Sequence, residues 1–219
     1  MVADKTSTGN RAVIALWASL WGAFSLAIGI TLALTVATLA LAIPATLIVG
    51  VALKSGALAA RAYVDVSMKL PLIVKLFAFF YIFQLDAYGC AVIALVLHQV
   101  AFSAEILRGG LEAVPAEIED AALTTGLSRT RCFFSIRLPI ALRHVAPALV
   151  LQTVEVVKNT SIVSLIGLME ITGAAEAFQS QTFEYVAGFS AAALAYMALI
   201  FPLMFAGHYL EVHLNRGEI

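Results

Sequence analysis

Charge is what this chain has least of. Asp, Glu, Lys and Arg make up 12% of its 219 residues, while 62% are hydrophobic; a soluble domain carries about twice that share of charge. Between Ala12 and Leu53 there is no charged residue at all. This points to an integral membrane protein with a single membrane domain, residues 1–219. The formal net charge of −1 gives no basic footprint for nucleic acid. Cysteine is scarce too: Cys90 falls in an apolar stretch and Cys132 in a polar one, so no disulfide is expected. The sequence has no G-x-x-x-x-G-K-[ST] phosphate loop, no H-E-x-x-H and no G-x-S-G or G-x-G-D protease signature, which sets aside ATP binding by that device and the common intramembrane enzymes. Of the histidines, only His208 and His213 approach metal-ligand spacing, near a tail, and no metal site is expected. A secondary transporter would carry its own coupling-ion site and usually inverted repeats; neither is visible. The first ten residues are polar and the apolar run after them is too long for a signal-peptide core, so no secretory leader is expected.

What is there divides into about five spans in an all-α chain. The run 12–53 would be a helix about 60 Å long, twice the bilayer core. No turn cluster interrupts it, so one span from about Gly22 to Val51 is preferred over two, with Trp17 and Trp21 as an interfacial anchor and Pro44 as a kink. A second helix continues through Phe83, a third covers Ala87 to Ala104, a fourth Leu142 to Leu168 and a fifth Val186 to Leu210. Residues 170–185, with Glu170, Glu176 and Glu184, read as a polar connection. Lys54, Arg61, the arginines of the stretch near 130 and Arg216 fall on one side; segments 84–86 and 170–185 contain no Lys or Arg. The positive-inside rule therefore expects the N-terminus outside and the C-terminus in the cytoplasm.

The one long polar stretch, Glu112 to Arg143, is punctuated as two short helices. Pro115 suits a first helical turn, and Glu117, Glu119 and Asp120 follow where acidic groups favour the helix dipole. Gly126 supplies positive φ for a stop, and Ser128 an N-cap for a second helix over Arg129–Arg137. Leu138-Pro139 is expected to end it.

The spelling of this stretch is specific. Asp120-Ala121-Ala122, three residues, Gly126, nine residues, Ile136, one residue, Leu138-Pro139 resembles the EAA loop of ABC importer permeases, with Asp for Glu at the first position. Ala104-Glu105-Ile106-Leu107-Arg108-Gly109-Gly110, Val114-Pro115 and Val157-Lys158-Asn159-Thr160-Ser161 resemble segments of the polar amino acid permeases in that family. Leu70-Pro71-Leu72-Ile73-Val74-Lys75 resembles another, with Met68-Lys69-Leu70 where Arg-Gly-Thr is usual and Lys75 where Gln is usual. The resemblance implies a type I importer permease, surrounded by membrane lipid, without a cofactor of its own. Its implied partners are a cytoplasmic ATPase dimer that holds ATP and Mg, a second permease subunit, homologous or identical, and a periplasmic solute-binding protein. The solute would be a polar amino acid or a derivative such as an opine, with Asp120, Ala121, Ala122, Gly126, Ile136, Leu138 and Pro139 forming the ATPase-coupling loop. The other readings are a secondary transporter and a membrane scaffold without an ATPase.

Ionisable groups inside spans are costly and are functional candidates by default. Lys75 either attracts a solute carboxylate or pairs within the bundle. Glu155 and Lys158, three apart, either line a pathway or pair with each other. His98 either faces the pathway or packs with a hydrogen bond. Glu105 and Arg108 read as a pair at the membrane edge.

Overall fold

The structure is a computed structural model that describes the backbone of residues 3–215 and the side chains of residues 21–213 other than 23. Trp17 and Arg216, to which the sequence assigns roles, lie outside these limits. Helix α1 runs Ala3–Lys54 without interruption, so the long apolar run is one helix, and Pro44 sits inside it without breaking it. Then come α2 (Leu58–Lys69), α3 (Leu72–Phe77, extended by a π turn Ala78–Ile82), α4 (Ala87–Ala113), α5 (Ala116–Thr124) and α6 (Arg129–Cys132). A second π turn, Phe133–Arg137, leads into α7 (Leu138–Asn159), which tightens into a 3-10 turn at Thr160–Ile166. Helices α8 (Ile171–Thr182) and α9 (Tyr185–Asn215) complete the described chain.

Four segments are long and apolar enough to cross a membrane: Phe24–Lys54, Ala87–Ala113, Arg129–Ile166 and Tyr185–His213. The fifth traverse is broken, which corrects the single second helix expected from sequence. Val64 of α2 packs with Leu53, Ala101 and Ala104 near one end of the bundle. Leu72 and Leu76 of α3 pack with Cys90, Ala91 and Ala94 near the other. Pro71 explains the break. It has no N–H to offer the carbonyl four residues back, and it drives Leu70 into extended geometry (φ −89°, ψ 124°).

The buried stripe of α1 is rich in small and hydroxylated residues, Ala27, Thr31, Thr35, Thr38, Ala42 and Thr46, set among Phe24, Leu34 and Leu53. Without a hydrophobic drive between helices in lipid, such residues let backbones approach closely. Thr35 returns its hydroxyl to the Thr31 carbonyl at 2.8 Å, so burial leaves that group satisfied. Gly110 of α4 lies against Val145 and the Ala141 carbonyl of α7, where a Cβ would collide.

Two further expectations are corrected. Pro139 does not end the helix begun at Arg129. The π turn before it hands the Leu138 N–H to the Phe133 carbonyl, five residues back. The widened turn moves aside the carbonyl that the proline ring would crowd, so the chain continues as α7. The polar connection expected over residues 170–185 is corrected in its first part: Glu170 is fully buried and α8 buries Ile171, Ala174, Ala175 and Phe178, whereas residues 180–185 are exposed. Period-3.6 apolar residues hid there among Thr, Gln and Glu.

Candidate functional site: the loop between α4 and α7, and the broken helix

The loop at the shared end of α4 and α7 is two helices joined by a sharp turn. Pro115 precedes α5, with Glu117 and Glu119 in its first turn. Gly126 has φ +86°, and a Cβ there would meet nothing within 4 Å. The position is thus reserved for glycine by its backbone alone. The Ser128 hydroxyl caps α6 by accepting from the Arg131 N–H at 3.3 Å. Asp120 and Ala121 face outward, whereas Ala122 is buried, so only one of the two alanines is free for a partner. Ile136, Leu138 and Pro139 are half-buried against the bundle. Two exposed apolar side chains, Ile118 and Phe134, were not distinguished by sequence as the outward-facing ones. The Phe133-Phe134 doublet was the available signal: one ring packs beside Leu107 and Leu111, so the other must point away.

At the same end, Arg108 sits between Glu105 (2.6 Å) and Glu112 (2.5 Å), a ladder along one face of α4. Arg137 reaches from the π turn to the Leu111 carbonyl (2.9 Å from Nη2, 3.2 Å from Nε) and to Glu119 of α5.

The broken helix carries the second group of candidates. Lys75 is buried, and its three ammonium hydrogens have three acceptors: the Ser67 carbonyl (2.8 Å), the Ser67 hydroxyl (2.9 Å) and His98 Nδ1 (3.0 Å). The Ser67 carbonyl is the one Pro71 would have served had it an N–H. Lys75 therefore closes the gap that Pro71 opens. Ser67 and Tyr63 both donate to the Leu97 carbonyl (3.1 and 2.7 Å), tying α2 to α4. Tyr63, Ser67, Leu70, Lys75 and Phe79 line a hollow of about 430 Å³ beside this joint. Glu155 and Lys158 pair with each other on α7 at 2.7 Å, both half-exposed. Of the four ionisable candidates the structure thus joins Lys75 to His98 and Glu155 to Lys158.

Lys75→Gln is expected to lower the transport rate while leaving the membrane assembly intact, because one amide cannot serve three acceptors. The cost of the orphaned groups is about 1–3 kcal/mol. Solute uptake and subunit co-purification measured together check this. Wild-type uptake would remove Lys75 from the moving parts.

At the opposite end of the bundle, buried Glu170 caps α8. Its Oε1 accepts from the Gly173 N–H (2.9 Å), and its Oε2 from the Tyr196 hydroxyl of α9 (2.5 Å). The Thr172 hydroxyl meets the same Tyr196 at 3.0 Å, and Thr31 of α1 accepts from the Ile171 N–H at 3.3 Å. Burial pushes the Glu170 carboxyl above its ordinary value of 4.5, outweighing the hydrogen bonds that favour its charged form.

Four apolar spans, a broken helix packed among them and a helix–turn–helix loop at one end define an all-helical membrane protein. Residues 42–216 match the family model described as the binding-protein-dependent transport system inner membrane component, and the chain belongs to that family. It is 36% identical to the octopine transport system permease protein OccM of Rhizobium radiobacter over 205 residues, 84% of each chain. It is 30% identical to the arginine transport system permease protein ArtQ of Bacillus subtilis over 136 residues, 62% of each chain. Among solved structures, an amino acid ABC transporter crystallised with histidines matches with TM-score 0.78 and 23% identity, over 94% of this chain and 97% of that one. An inward-facing MetNI methionine ABC transporter matches with TM-score 0.69 and 15% identity, over 93% and 98%. The chain is the membrane permease subunit of an ABC importer, and ATP hydrolysis falls to a separate ATPase.

Proposed function

We propose that the chain carries an amino-acid-type solute, including an opine or similar derivative, from periplasm to cytoplasm. Its partners in this reading are a cytoplasmic ATPase dimer, a second permease subunit and a periplasmic solute-binding protein. The observation that carries the solute class is the 36% identity to an octopine permease along 84% of both chains; arginine and nopaline permeases are similar too. Asp120, Ala121, Gly126 and the exposed Ile118 and Phe134 form the surface offered to the ATPase. Ala122, Ile136, Leu138 and Pro139 hold that surface on the bundle. The solute passes near the broken helix, where Lys75 and His98 hold the joint; Glu155 and Lys158 lie on α7, which packs on the same α4 that carries His98. ATP-dependent uptake of labelled octopine and arginine into proteoliposomes containing the permease, its ATPase and its binding protein tests this. Uptake that persists without the ATPase would make the protein a secondary transporter.

In the same reading the loop and C-terminus face the cytoplasm and the N-terminus lies outside. Cys132 cannot report the side, because it is buried. Gln181 and Thr130 are exposed. In a background with Cys90 and Cys132 replaced by Ala, Gln181→Cys should react with an impermeant maleimide added to spheroplasts, and Thr130→Cys only after lysis. The reverse pattern would invert the topology.

A further inference from the structure

Arg137 occupies the one-residue gap of the loop motif, between Ile136 and Leu138, and nothing in the motif assigns it a role. Its side chain is only 14% exposed, so it faces the interior of the loop, away from the surface offered to a partner. The guanidinium makes two bonds to the carbonyl of fully buried Leu111 and one to the Glu119 carboxylate. Leu111 lies in the last turn of α4, where the final four carbonyls have no helical donor. Glu119 lies in α5. One side chain thus joins the end of a membrane-spanning helix, the first loop helix and the π turn that becomes α7. Among the described residues, no other ion pair joins α5 to another element.

The π turn is what aims it. One extra residue in a turn rotates everything beyond it by about 100° relative to a regular α-helix. The device that lets Pro139 stay in the helix also turns Arg137 toward Leu111 and Glu119. A planar fork that donates to a carbonyl and a carboxylate together resists rocking as a single contact does not.

We infer that Arg137 is a positioning residue that locks α5 to the ends of α4 and α7, so that force applied to the loop moves the spans rather than bending the loop. This rests on the reading of residues 112–143 as the ATPase-docking loop. The test uses the whole complex in lipid nanodiscs, with two readouts. One is ATPase co-purification; the other is the ratio of ATP hydrolysis with solute-loaded binding protein to that without. Arg137→Gln is expected to keep the ATPase bound and to cut the ratio about tenfold, within the range of coupling between distant sites. Glu119→Gln, which spares the Leu111 contact, should reproduce much of the loss. Arg137→Lys, which keeps the charge and loses the planar fork, should recover only part of the ratio. A wild-type ratio in Arg137→Gln or in Glu119→Gln overturns the inference. So does an equal fall in protein yield, docking and ratio in both Arg137 variants, which would mark a folding residue. Failure of the docking reading looks different: Ile118→Asp with Phe134→Asp would then leave co-purification unchanged.

Discussion

Gly126→Val is expected to insert and fold normally, yet to lose stimulation of ATP hydrolysis by loaded binding protein. The glycine has φ +86°, and a Cβ would touch nothing within 4 Å, so the substitution acts through the backbone and not through a clash. A side chain in that region costs about 1–2 kcal/mol, and a β-branched one more. That is small beside the packing of the whole bundle, and the chain has a cheaper escape than unfolding. It relaxes φ and swings α5 away from α6. The surface formed by Ile118, Asp120, Ala121 and Phe134 then no longer presents one shape. Gly126→Ala should do the same more weakly, and Gly126→Asn least, because Asn tolerates left-handed geometry. ATPase activity of the reconstituted complex, with and without binding protein and solute, reads the effect. Wild-type stimulation in the Val variant would mean that the loop is not a coupling element.

Glu170→Leu is expected to damage stability, not coupling alone. The buried carboxylate caps α8, holds Tyr196 of α9, and sits beside the Ile171–Thr31 contact to α1. Leu removes the cap and leaves the Tyr196 hydroxyl with Thr172 alone. The summed cost is about 2–4 kcal/mol, from a lost N-cap and a weakened buried hydrogen bond. Thermal unfolding in detergent should show it as a clearly lowered midpoint, with Glu170→Gln closer to wild type. The pH dependence has a definite sign. The folded protein holds this carboxyl above its ordinary 4.5, so between 4.5 and the raised value it binds more protons than the unfolded chain. The protonated form's stabilisation is complete below 4.5 and is lost as pH rises through the folded value. Glu170→Gln should flatten that part of the profile. An unchanged profile in the Gln variant would mean that Glu170 does not titrate in this range.

The two predictions separate the ends of the molecule. The turn at Gly126 is exposed and a Cβ on its glycine would touch nothing within 4 Å, so a backbone change there alters orientation at small energetic cost. The Glu170 carboxyl is buried and its contacts are shared by three helices, so a change there acts on stability.

Much was legible in the residues themselves. Turn chemistry is local: Pro115, Gly126 and Ser128 act within a few residues of themselves, and each does in the structure what its position implies. Four of the five expected spans follow from apolar length, and the pairing of Glu105 with Arg108 and of Glu155 with Lys158 follows from helical spacing. Partners far apart in sequence could not be read. Lys75 meets Ser67 and His98, Arg137 meets Leu111, and Thr31 meets Ile171 across 140 positions. Proline was the residue whose meaning only the tertiary structure decided. Pro71 breaks its helix, and a buried lysine supplies the missing donor. Pro139 leaves its helix running, because a π turn ahead of it relieves the clash. The local defect is the same in both places: an absent N–H and a ring against the preceding turn. The outcome differs because at Pro71 the chain breaks and Lys75, held in place by His98 of α4, reaches the freed Ser67 carbonyl, whereas at Pro139 the turn ahead widens and the helix runs on; the fold, not the proline itself, selects between the two.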